Sequence, residues 1–149
     1  NPNYSGIVLS LIDQNGKEQD GFLSTAAVFN LKLQADLVVL TACQTGLALG
    51  LKRRESINDS ELQKIREQGY VGLMSGFTYA GASRVMVTFW KIPAKASTQL
   101  MVRFYKGMLG PQKLSAAAAL RAAQIQIWQQ QKWRSPFYWA AFALNGEYR

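Results

Sequence analysis

The sequence predicts an α/β fold, a three-layer α/β/α sandwich built on a mostly parallel sheet. Apolar, β-branched runs at Gly6–Ile12, Leu37–Ala42, Arg84–Trp90 and Phe137–Gly146 alternate with helical patterns, the order that α/β folds produce. One of these runs, Leu37–Ala42, is apolar on both faces, as a strand is when helices cover both sides of a parallel sheet. The 149 residues, 48% hydrophobic and 17% charged, suffice for a single domain over 1–149 with a real core.

Each element has its own signal. Gly6–Ile12 ("GIVLSLI") is short and β-branched, and "DQNGKEQDG" behind it carries the Asn-Gly and Asp-Gly pairs of turns. Ser24 can cap a short helix over "TAAVFNL". Residues 47–58 break into glycine and charge with no sustained period and predict a loop. Asp59 or Ser60 then opens a helix, Ser60 and Gln63 having capping-box spacing, and Gly69–Gly81 supplies small and apolar residues for the interior.

Arg84–Trp90 ("RVMVTFW") reads as a second core strand closed by Pro93. In Ala94–Leu109, Leu100, Met101, Phe104, Tyr105 and Met108 form one helical stripe, ended by "GP". Ser115 caps the next helix, with Leu120, Ala123 and Ile127 toward the core and the glutamines toward water. "FYWAAFALNG", Phe137–Gly146, reads as the final strand.

Composition narrows the partners. The formal charge is +8, but its densest cluster is only Lys52, Arg53 and Arg54, and dispersed basic charge argues for a solvated surface against a nucleic-acid role. A single cysteine makes no intrachain disulfide, and no leader or long apolar span is present. A soluble, cytoplasmic protein with no membrane partner is expected. No Walker or G-x-G-x-x-G pattern appears, which argues against phosphate binding at a doubly wound sheet.

The chemically suggestive stretch is "LVVLTACQTG", Leu37–Gly46, where a strand-like run drives into the lone Cys43. In open α/β sheets chemistry gathers at the carboxyl ends of strands. Thr45 and Gly46 permit a tight turn, so the Cys43 backbone amide could face a developing oxyanion. Position alone also fits inert packing, the commoner fate of a free cysteine. The reactive form is the thiolate, and a free thiol with a pKa of about 8.5 is only a few per cent ionised near neutrality. The chain contains no histidine to lower that value.

"ADLVVLTACQTG", "YAGASRVMVTFW", "ASTQLMVRFYKGML" and "SPFYWAAFALNGE" follow one another in an order and spacing that resemble CHAT domains, caspase-like domains associated with tetratricopeptide repeats. The resemblance runs from "SGIVLSL" to "NGEYR". It implies a caspase-like sandwich lacking its first strands here, with a Cys-His dyad that hydrolyses peptide bonds. Ala42, Cys43 and Gln44 partly echo the caspase signature, whose histidine lies some 50 residues upstream. The resemblance therefore implies that the histidine, its following glycine and tetratricopeptide repeats precede Asn1, and that the 149-residue chain alone is inactive.

Carried onto this sequence, the resemblance makes Cys43 the nucleophile and its backbone amide half of an oxyanion hole. Thr41 would line the pocket for the residue before the scissile bond. There it offers no carboxylate to a basic side chain. Phe89 and Trp90 would form the edge along which a peptide substrate lies, although an aromatic core at a strand end explains them equally well. No cofactor or metal is implied. "WKIPAKAS" and "LALGLKRRESIN" depart from the family pattern and bear on substrate choice more than on fold. The alternative is an inactive caspase-like scaffold or regulatory interaction module. The basic triplet in the 47–58 loop is open to trypsin-like cleavage, but a simple surface loop accounts for it as well.

Overall fold

A computed structural model describes residues 6–41, 69 and 71–147. They form a mixed α/β architecture with a two-stranded and a three-stranded sheet. Two compact units are present, one of residues 6–38, 69 and 71–83, the other of residues 39–41 and 84–147. The predicted 47–58 loop and the helix opening at Asp59 or Ser60 lie outside the described residues.

In the first unit, β1 (Gly6–Val8) pairs antiparallel with β2 (Phe22–Ser24), Gly6 opposite Ser24. The chain between them turns where Asn15-Gly16 predicts. Asp13 Oδ1 accepts the backbone N–H groups of Asn15 (2.8 Å) and Lys17 (2.9 Å), and Gly16 takes φ +78°, a conformation open to glycine at no steric cost. Beyond Val8 the expected strand thins to the single bridge Ile12–Glu18. Ser24 caps α1 (Thr25–Phe29), its hydroxyl accepting the Ala27 N–H at 3.1 Å.

Residues 69 and 71–79 are helical and form the described part of α2. Gly76 faces Val28 and Phe29 of α1, and Phe29 meets Tyr79 at a ring separation of 5.6 Å. Val28, Leu73, Phe77 and Ala80 are buried, whereas Val71 and Tyr79 of the expected interior stretch are exposed.

The second unit holds the sheet of order β3-β4-β5: β3 (Val38–Leu40), β4 (Arg84–Thr88) and β5 (Phe142–Gly146). Val85, Met86 and Val87 of β4 are buried, while β3 is half-buried along its length. A parallel bridge joins Ala35 to Ala82 just ahead of β3 and β4. β5, however, pairs antiparallel with β4, from Arg84 opposite Gly146 to Thr88 opposite Phe142. Two helices separate these strands, α3 (Ala94–Leu109) and α4 (Ala116–Trp128). One crossover helix returns the chain for a parallel strand, and a second reverses it again.

Ser115 caps α4, its hydroxyl accepting the Ala118 N–H at 3.4 Å. On α3 the buried stripe is Ala96, Leu100 and Phe104; on α4 it is Ala116, Ala119, Leu120, Ala123 and Ile127. Gly107 faces Ala119, small residues that let the two helices approach. Gln124 is not a water-facing glutamine: its amide donates to the carbonyls of Trp139 (3.1 Å) and Phe142 (3.2 Å). Those bonds fix the chain as it enters β5. The start of the expected last strand forms instead a short 3₁₀ turn, Pro136–Tyr138, capped by Ser135.

Candidate active site

Thr41 follows β3 directly and is half-buried. It lies in the wall of a groove of about 720 Å³ whose other side is the face of α3 bearing Ser97, Met101, Val102, Tyr105 and Leu109. Among the described residues, Lys106 brings the lining's one formal charge. Cys43 lies outside the described residues. In the sequence it is two residues beyond Thr41.

Phe89 and Trp90 lie at the other strand end, just past β4, and neither belongs to the groove lining. Phe89 is 47% exposed, and its backbone N–H donates to the Ala141 carbonyl at 3.0 Å. That amide is therefore committed to the protein's own ladder. Trp90 is half-buried and its indole N–H donates to the Phe137 carbonyl at 2.9 Å. This bond ties residue 90 to the 3₁₀ turn before β5, a packing role whatever else the ring does. The last residue of β4, Thr88, is 1% exposed, and its buried hydroxyl has no hydrogen-bond partner among the described residues.

The α3 side of the groove was only half legible in the sequence. Met101 and Tyr105 were expected in the core stripe, but Met101 is half-buried and Tyr105 is 40% exposed. Each residue turns the helix by about 100°, so a stripe centred on Leu100 and Phe104 carries Met101 and Tyr105 to its flank. Val102 and Leu109, 45% and 78% exposed, extend that flank into a second apolar strip. The available signal was the pair itself, two large aliphatic residues standing on the side of α3 that amphipathicity reserves for polar groups.

The CHAT domain family profile matches residues 1–147, and the chain belongs to that family. It is also similar to tetratricopeptide repeat protein 28 of Homo sapiens, 30% identical over 128 residues, 86% of this chain and 4% of that protein. The Mus musculus protein of the same name is 29% identical over 124 residues, 83% of this chain and again 4% of its length. The chain thus corresponds to a small part of these relatives. Among the described residues, no helix is long and apolar enough to cross a membrane.

Proposed function

We propose that this chain carries the nucleophile of a caspase-like cysteine endopeptidase. Cys43 attacks the peptide carbonyl as a thiolate, a histidine supplied from upstream sequence takes and returns the proton, and water hydrolyses the thioester. The Cys43 backbone amide contributes to the oxyanion hole. Thr41 lines the pocket beside the scissile bond, and the segment at Phe89 and Trp90 borders the bound peptide. The surrounding domain is a three-layer caspase-like sandwich, coupled to tetratricopeptide repeats elsewhere in the protein.

The observation that carries this proposal is family membership over residues 1–147, with the lone cysteine two residues past the groove-lining Thr41. The mixed α/β architecture supports it, as does the repeat-protein name of the two relatives. The departures from the family pattern at "WKIPAKAS" and "LALGLKRRESIN" favour the second reading, a scaffold or regulatory module in which Cys43 does no chemistry. The full-length protein separates the two. Cleavage of a denatured protein mixture that disappears in Cys43→Ala supports the peptidase. A full-length sequence with no histidine able to reach Cys43, or cleavage that survives Cys43→Ala, establishes the second reading or a different nucleophile.

A further inference from the structure

Charge is divided unequally along the chain. Residues 1–83 hold seven lysines and arginines against eight acids, whereas residues 84–149 hold ten against Glu147 alone. No cluster of cations marks this in the sequence, because the ten are spread over two helices and their flanks. The second unit therefore has almost no counterion of its own, and a basic surface without internal partners attracts acidic ones.

One place in this unit gives that charge a shape. A groove of about 470 Å³ lies between the first turns of α3 and the chain leaving α4, lined by Lys95, Thr98, Gln99, Gln130, Lys132 and Trp133. Its size is within the range of ligand-binding clefts, about 300–1,000 Å³. Lys132 Nζ stands 4.9 Å from the centre of the buried Trp133 ring, a cation–π contact that holds the ammonium at the groove. Lys95 stands in the first turn of α3, which has no acidic residue and no side-chain cap, a position where the helix dipole disfavours a cation. Among the described residues neither ammonium has a carboxylate partner.

Two exposed ion pairs alone hold a partner weakly; the amides of the groove add selectivity. Gln99 Oε1 accepts from Arg103 Nη1 at 3.1 Å, which leaves its NH₂ as a donor. Gln130 Nε2 donates to the Gln126 carbonyl at 3.3 Å, which leaves its oxygen as an acceptor. A spare donor and a spare acceptor match the carbonyl and N–H of a peptide unit. A phosphodiester backbone offers acceptors only. Among the described residues no arginine, whose planar fork suits phosphate, lines the groove.

We infer that this groove binds an acidic peptide segment of a partner protein, two carboxylates of which meet Lys95 and Lys132 while its backbone bonds to Gln99 and Gln130. The inference uses none of Thr41, Cys43, Phe89 or Trp90 and stands under either reading of the cysteine. Lys95 belongs to "WKIPAKAS", one of the two segments that depart from the family pattern, so its charge is this chain's own feature.

The test is fluorescence anisotropy of a labelled hexapeptide of alternating glutamate and serine on the full-length protein. The peptide should bind, and its glutamine–serine counterpart should bind at least tenfold more weakly, as should the acidic peptide in high salt. Lys95→Glu and Lys132→Glu, both at exposed side chains, should each weaken binding at least tenfold with unchanged circular dichroism. Gln99→Leu should weaken it severalfold at unaltered charge. Arg121→Glu, an equal change of charge on α4 outside the groove, should leave binding nearly unchanged. Absence of binding, an equal loss in Arg121→Glu, or no loss in the two lysine variants overturns the inference. So does a thymidine hexanucleotide or a phosphatidylserine vesicle that binds more tightly than the peptide and is released by Lys95→Glu and Lys132→Glu, a result that assigns the groove to nucleic acid or membrane instead.

Discussion

Replacing Gly81 by alanine tests the turn that delivers β4 into the sheet. Gly81 has φ +110°, and a Cβ built there would overlap the carbonyl oxygen of Leu33. That oxygen is backbone and cannot swing aside. Leu33 is itself tied to the turn by its N–H, which donates to the Ala80 carbonyl at 2.6 Å, and Ser83 N–H donates to Ala35 at 3.0 Å. Two costs add. A side chain at positive φ costs about 1–2 kcal/mol, and forcing an extra carbon into filled space costs about 1–3 kcal/mol. Alanine returns about 0.4–1 kcal/mol by restricting the unfolded chain, so the net loss is about 1–4.6 kcal/mol. Gly16 is the control, because it also has positive φ, at +78°, but nothing lies within 4 Å of its Cβ position. Gly16→Ala bears the first cost alone, about 0–1.5 kcal/mol net. Urea unfolding followed by tryptophan fluorescence reads both variants, with unchanged slope confirming that only stability has moved. A Gly81→Ala protein no less stable than Gly16→Ala would refute the close approach of Leu33 and the turn built on it.

Three further substitutions test single bonds by the same measurement. Thr88→Val removes a buried hydroxyl that has no partner among the described residues and should raise stability by about 1 kcal/mol; a loss would mean that the hydroxyl is bonded. Gln124→Met keeps the length of the side chain but leaves the Trp139 and Phe142 carbonyls without their donor, and should cost about 2 kcal/mol. Trp90→Phe loses the 2.9 Å bond to Phe137 and should cost about 1 kcal/mol. If Trp90 also borders the substrate, the same variant of the full-length protein should show a raised KM with kcat little changed.

Local signals in the sequence were the most legible. Ser24 and Ser115 both accept the backbone N–H three residues on, since a cap depends only on neighbours along the chain. Asn15-Gly16 turns for the same reason. Long-range consequences were harder to see. Two helices between β4 and β5 already implied an antiparallel return, but a composition rich in alternating strands and helices favours the parallel reading. The polar side chain of Gln124 could not be told from the water-facing glutamines beside it, because only the carbonyls of Trp139 and Phe142, distant in sequence, give it a buried role. At the candidate site, family resemblance singled out Thr41, Phe89 and Trp90. Periodicity alone put Met101 and Tyr105 into the wrong strip, since adjacent stripes of a helix differ by one residue's rotation.

The central claim is that Cys43 is an activated thiol. Its rate of alkylation by iodoacetamide at neutral pH in the full-length protein, read by peptide mass mapping, tests this most directly. Activation by a histidine predicts modification several-fold faster than that of a free thiol with a pKa of about 8.5, and loss of the protein's peptidase activity in step with it. Alkylation slower than that of a free thiol, with Cys43 unmodified until the protein is denatured, would contradict the claim.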